Sequence, residues 1–69
     1  MEIRLNHKVE LIDTPKQHIT VDELLAYKKF SFELLIVKIN AILVKKENYP
    51  TATLTERDEV EVIHVFGGG

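Results

Sequence analysis

From Glu2 to Asn6 the chain alternates polar and apolar residues, with Ile3 and Leu5 on one face. Val9 and Leu11 resume the alternation after Asn6-His7. A period of two places successive side chains on opposite faces of a strand, so strands are expected at about 2–6 and 8–12. Asparagine tolerates positive φ, and Asn6-His7 therefore suits a tight hairpin turn between them. Asp13-Thr14-Pro15-Lys16 ends the ladder, because Pro15 has no N–H to donate.

The pattern then changes to helical spacing. Thr20 is a natural N-cap, and Glu23 three positions later completes a capping box. Val21, Leu24, Leu25 and Lys28 recur at helical intervals, with the Lys28 stem able to lie along the core edge. Asp22 and Glu23 at the start, with Lys28 and Lys29 in the last turn, would complement the helix dipole. Ile19, just before the cap, is placed to staple onto the helix.

Leu34 to Asn40 is apolar and rich in β-branched residues, which predicts an internal strand. Ala41 to Val44 extends it or begins a short partner strand, and Lys45 to Tyr49 before Pro50 predicts one tight helical turn or a loop. Glu59 to Phe66 is the last strand. Val60, Val62, His64 and Phe66 share one face, and Glu59, Glu61, Ile63 and Val65 share the other. That second face is acidic at its start and apolar at its end. A solvated sheet face would stay polar throughout.

The element order is thus β-β-α-β-(β)-β. It predicts an α+β unit of two layers, a mixed sheet of four to five strands with one main helix across one face. The arrangement that satisfies this within some 65 residues is the β-grasp, or ubiquitin-like, roll. In it the first and last strands are central neighbours, and the C-terminal tail projects from the sheet. Residues 1–66 are expected to form a single domain and 67–69 a flexible tail.

Composition narrows the function. The 69 residues carry a net charge of −2, so the basic surplus that nucleic-acid binding requires is lacking. No apolar run is longer than Leu34–Val37, far short of a bilayer span, and with Met1 leading directly into Glu2-Ile3-Arg4-Leu5 no secretory leader is expected. There is no cysteine, which excludes disulfides, thiolate metal sites and thiol nucleophiles and accords with a cytoplasmic protein. His7, His18 and His64 show no metal-ligand spacing, and no phosphate-binding glycine loop or Ser/His/Asp arrangement occurs. The only serine, Ser31, lies in Phe30-Ser31-Phe32, unlike the serine context of an acyl carrier. No metal and no bound cofactor are expected.

The three glycines of the chain are Gly67, Gly68 and Gly69. At the average usage of about 7% such a terminal triplet arises by chance roughly once in 3,000 chains. A carboxylate is a poor electrophile, but ATP converts it into an acyl adenylate whose AMP a sulfur, oxygen or nitrogen nucleophile displaces. Glycine suits a tail that must enter an enzyme channel: it has no side chain to obstruct passage and adopts whatever φ and ψ the channel imposes. The alternative for such a tail is a disordered end or a linker remnant.

Several segments carry a family resemblance. They are Thr20-Val21-Asp22-Glu23-Leu24-Leu25, Val37-Lys38-Ile39-Asn40, Val44-Lys45-Lys46-Glu47-Asn48-Tyr49, and the stretch from Asp58 through Val65-Phe66 to Gly67-Gly68-Gly69. Together they resemble the start of the helix, the apolar strand ending in Asn, the aromatic-ended turn and the acidic-to-apolar last strand with its glycine terminus in the ThiS family, the sulfur carriers of thiamine biosynthesis. The likeness spans essentially the whole chain. It departs at two turn glycines, with Asn40-Ala41 for the family's frequent Asn-Gly and Glu56-Arg57-Asp58 for its Asp-Gly-Asp.

The resemblance implies that an E1-like adenylyltransferase of the ThiF type activates the Gly69 carboxylate with ATP. A sulfur donor system would then make a thiocarboxylate, and a thiazole synthase of the ThiG type would take its sulfur. The protein is thereby expected to be a carrier and no enzyme, monomeric when free. A molybdopterin-type or other sulfur carrier, a ubiquitin-like modifier and a purely structural β-grasp module remain the alternatives.

Ile63, Val65 and Phe66 are the candidates for a docking patch, the alternative being that they close the core. Glu56, Asp58, Glu59 and Glu61 form an acidic run near the tail that can steer the carrier onto basic enzyme surfaces or simply keep a strand edge solvated. His64 lies close to the tail, although a strand histidine ordinarily packs or meets solvent.

Overall fold

The computed structural model describes residues 1–30 and 35–65. Its elements in order are β1 (Glu2–Leu5), β2 (Lys8–Leu11), β3 (His18–Thr20), α1 (Val21–Tyr27), β4 (Leu35–Ile39), β5 (Ile42–Val44), a 3-10 turn (Lys46–Asn48), β6 (Thr53–Thr55) and β7 (Glu59–His64). Five strands form one mixed sheet in the order β2-β1-β7-β4-β5, and β3 pairs with β6 in a separate two-stranded ribbon. The sheet with its one helix is the β-grasp arrangement expected from the element order.

The two halves of the sheet are hairpins, and each turn is built on a residue pair at positive φ: Asn6-His7 at 52° and 69°, Asn40-Ala41 at 51° and 69°. Positive φ at both central positions is the turn geometry whose twist matches the flanking strands. β7 lies between the hairpins. It runs parallel to β1, with Arg4 opposite Glu59 and Leu5 opposite Val60. It is antiparallel to β4, from Ile39 opposite Val60 to Leu35 opposite His64.

One face of the sheet is dry. Ile3, Leu5, Val37, Val60 and Val62 are buried on it together with Val21 and Leu24 of α1 and with Ile19, Leu54 and Tyr49. The helix begins as its capping box dictates: the Glu23 N–H donates to the Thr20 hydroxyl (3.1 Å), and the Thr20 N–H donates to the Glu23 carboxylate (3.0 Å).

It ends earlier than the spacing suggests. The N–H of Lys29 donates to the Ala26 carbonyl and that of Phe30 to the Leu25 carbonyl, with Lys29 at φ 59°. These two bonds are the Schellman pattern, which turns the chain out of the helix. Lys28 is therefore the C-cap and Lys29 lies beyond it, so the last turn holds no basic residue. Lys28 instead reaches Glu10 of β2, with 3.1 Å between Nζ and Oε1.

Other boundaries also shift. β1 stops at Leu5 because Asn6 enters the turn, and β7 ends at His64, ahead of the expected Phe66. Both turns that lack the family's glycine are nevertheless made, with Ala41 and Arg57 at φ 69° and 68°. The β3–β6 ribbon, with Ile19 opposite Leu54, was not expected.

Candidate functional site

The strand that leads to the glycine tail has two unlike faces. Val60 and Val62 are buried toward the helix. His64 shares their face, half-buried, with its ring edge-on to Phe30 (centroids 6.1 Å apart, planes at 84°). His64 is thus a packing residue on the core side. On the opposite face Ile63 is 41% exposed, and Val65, just past the end of β7, is 42% exposed.

The register extends this outer face beyond the strand. Ile36 of β4 lies directly opposite Ile63 and is 36% exposed. Lys38 is opposite both Glu61 and Leu43 of β5, and Leu43 is 58% exposed. Ile36, Leu43, Ile63 and Val65 therefore form an apolar area on the outer face, crossed by the Lys38–Glu61 pair. Ile36 and Ile63 are direct cross-strand neighbours on it, and Lys38 stands between them and Leu43. Toward β1 the same face turns polar, with Arg4 opposite Glu59. Ile36 and Leu43 were missed in sequence. The signal was available, since Ile36 alternates with the buried Val37, but only the register with Ile63 joins it to the patch.

The acidic run separates into two kinds of residue. Asp58 accepts from the Thr55 N–H (2.8 Å) and from the Asn40 side chain (3.1 Å), and Glu56 accepts from the Glu2 N–H (2.9 Å). Both hold turns together. Glu59 and Glu61 lie on the outer face, Glu59 with His7 at 3.8 Å. The charge near the apolar residues of this face is therefore that of Glu59 and Glu61, with Lys38 opposite Glu61.

Two asparagines secure the tail strand. Asn40 donates its backbone N–H to the Glu59 carbonyl (2.6 Å) and accepts the Glu59 N–H on its side chain (2.9 Å). Asn6 donates its N–H to the Val60 carbonyl (2.9 Å), and its carboxamide accepts from the Val62 N–H (2.8 Å) and donates to the Val62 carbonyl (3.2 Å).

Phe66, Gly67, Gly68 and Gly69 lie outside the described residues. Among those described, no group of three or more His, Asp or Glu side chains converges, and no helix is long and apolar enough to cross a membrane.

Comparison with known proteins places this geometry in context. The ThiS family model matches residues 3–69. Sulfur carrier protein ThiS of Bacillus subtilis is 36% identical over 50 residues, covering 72% of this chain and 76% of that protein. The crystal structure of the thiamine biosynthesis protein ThiS from Geobacter metallireducens superposes with a TM-score of 0.87 at 28% identity, all of both chains being covered. The solution structure of the Geobacter protein gives 0.81 and covers all of this chain and 88% of that one.

Proposed function

Since the chain belongs to the ThiS family, we propose that it is a sulfur carrier of thiamine biosynthesis whose reactive group is the Gly69 carboxylate. The observation that carries this reading is the exposed apolar face made by Ile63 and Val65, on and just past the strand that leads to Gly67-Gly68-Gly69, with Ile36 and Leu43 on β4 and β5 beside it. A carrier must be recognised by the enzymes that activate and discharge it, and that surface ends at Val65, two positions before Gly67 in the sequence.

The chemistry proceeds in three steps. A Gly69 carboxylate oxygen attacks the α-phosphorus of ATP on an E1-like adenylyltransferase, releasing pyrophosphate and forming the acyl adenylate. A sulfur nucleophile from the donor system attacks the acyl carbon and expels AMP. With sulfide as that nucleophile, the new C–S bond replaces the bond to AMP and loss of the S–H proton leaves a thiocarboxylate, which passes its sulfur to a thiazole synthase. This chain contributes the carboxylate, the narrow tail and the docking face, and the catalytic groups belong to the partners. The carrier works free in the cytoplasm between encounters, as a monomer with no bound cofactor.

Intact-protein mass spectrometry tests the reading after incubation with ATP, a sulfide source and the adenylyltransferase of the same cell. The expected result is a mass gain equal to one oxygen replaced by one sulfur, abolished by deletion of Gly69. Higher-mass lysine conjugates would point to a modifier. No change with an active enzyme would leave a structural module.

A further inference from the structure

β1 is too short to accompany β7 to its end. The parallel ladder between them registers only Arg4 with Glu59 and Leu5 with Val60, after which the chain turns away at Asn6-His7 toward β2. The next step is made by a side chain. The Asn6 carboxamide presents an acceptor and a donor to the N–H and carbonyl of Val62, as a further strand residue would. Val62 is flanked by Glu61 and Ile63, two residues of the outer face, and its own side chain is buried. The orientation of its peptide groups sets the angle at which Ile63 meets an approaching surface.

We propose that Asn6 is a positioning residue for partner docking: its side chain clips the tail-proximal half of β7 flat against the sheet, so that Ile63, and Val65 after it, stand in line with Ile36. Without the clip, β7 beyond Val60 is held through its ladder with β4, leaving it free to twist on the β1 side. The inference rests on the carrier reading above and assigns the docking face a support from the opposite end of the chain.

Asn6→Gly tests it cleanly. Glycine accepts the φ of 52° that the turn needs, so the hairpin survives while the carboxamide is lost. Thr20→Ala serves as the control for general loosening, because it weakens the helix cap on the other side of the molecule. In the free protein, hydrogen exchange of the Val62 amide should accelerate about tenfold or more in Asn6→Gly, with the β4-facing amides of Glu61 and Ile63 little changed. With the adenylyltransferase, KM for the carrier should rise about tenfold while kcat stays within about twofold, the mark of lost binding. Asn6→Asp keeps the acceptor for the Val62 N–H but sets a carboxylate oxygen against the Val62 carbonyl, and should recover only part of the KM.

An unchanged Val62 exchange rate would overturn the clip. Faster exchange with wild-type KM, or the same KM rise in Thr20→Ala, would overturn its role in docking. A wild-type protein that is never adenylated would instead overturn the carrier reading, and the docking role with it.

Discussion

Lys29, Ala41 and Arg57 hold backbone conformations usually left to glycine, at φ 59°, 69° and 68°. A side chain bearing a β-carbon pays a penalty of roughly 1–2 kcal/mol in this left-handed region, partly offset because glycine makes the unfolded chain more disordered. Ala41→Gly and Arg57→Gly are each expected to stabilise the protein by about 0.5–1 kcal/mol, read as a higher urea midpoint with unchanged slope. The Asn6-His7 turn was legible in the sequence, because asparagine is the residue that accepts this region most readily after glycine. Arg57 gave no such sign of its own: an arginine between two acidic residues reads as a charged surface segment, and the turn there was suggested only by the family resemblance, whereas the structure makes it with Asp58 accepting from the Thr55 N–H and the Asn40 side chain.

At the level of elements, α1 depends on its first turn. Lys16, hydrogen-bonded to the Glu23 carboxylate, and then the Thr20 backbone N–H hold the Glu23 pKa below the usual carboxylate value. A carboxyl group whose pKa is lowered on folding stabilises the fold above its unfolded pKa of roughly 4.3, and that contribution disappears as pH falls through the folded value. Wild type should therefore lose stability on acidification below about pH 4.5, and Glu23→Gln should lose less over the same range in acid titrations followed by circular dichroism. Thr20→Ala, which removes the hydroxyl acceptor, should cost about 1 kcal/mol at neutral pH by chemical denaturation.

The helix, the first hairpin and β7 were readable because each combines a period with a boundary signal, whereas Ala41 to Val44 left open whether it extended β4 or paired back onto it, as it does. β3 and β6 were not readable. Three residues with one buried side chain each, Ile19 and Leu54, are too few to reveal a period, and His18-Ile19-Thr20 is overshadowed by the cap that follows it. The split character of β7 was legible as acidic then apolar. The remainder of the patch was not, because Ile36 and Leu43 join it through cross-strand register, which a linear reading of the chain does not contain.

For the whole molecule, the exposed apolar face should be separable from the core. Ile63→Thr and Ile36→Thr retain β-branched side chains on an exposed surface and should change stability by no more than about 0.5 kcal/mol. If the face receives the adenylyltransferase, each should lower kcat/KM for tail activation about tenfold, as loss of an apolar anchor worth 1–2 kcal/mol implies. On the core side, burial pushes the Tyr49 phenol pKa up, with the nearby Asp22 charge adding to the effect. An acid whose pKa is raised on folding contributes stability below its unfolded pKa, near 10, that is lost as pH rises through the folded value. Wild type should consequently weaken above pH ~10, and Tyr49→Phe should flatten that alkaline decline in thermal melts.

The central place of β7 also bears on how the protein is made. Arg4 leaves the ribosome well before Glu59, the residue it faces in the sheet. Until β7 emerges, β1–β2 and β4–β5 are two hairpins with nothing between them, and closing so long a loop is a late, entropically costly step. A polypeptide broken off before Glu59 lacks the strand that joins the two hairpins into one sheet. On the carrier reading proposed above, folding itself would then filter what an activating enzyme meets: molecules without the strand that leads to Gly67-Gly68-Gly69 never form the sheet that carries Ile63.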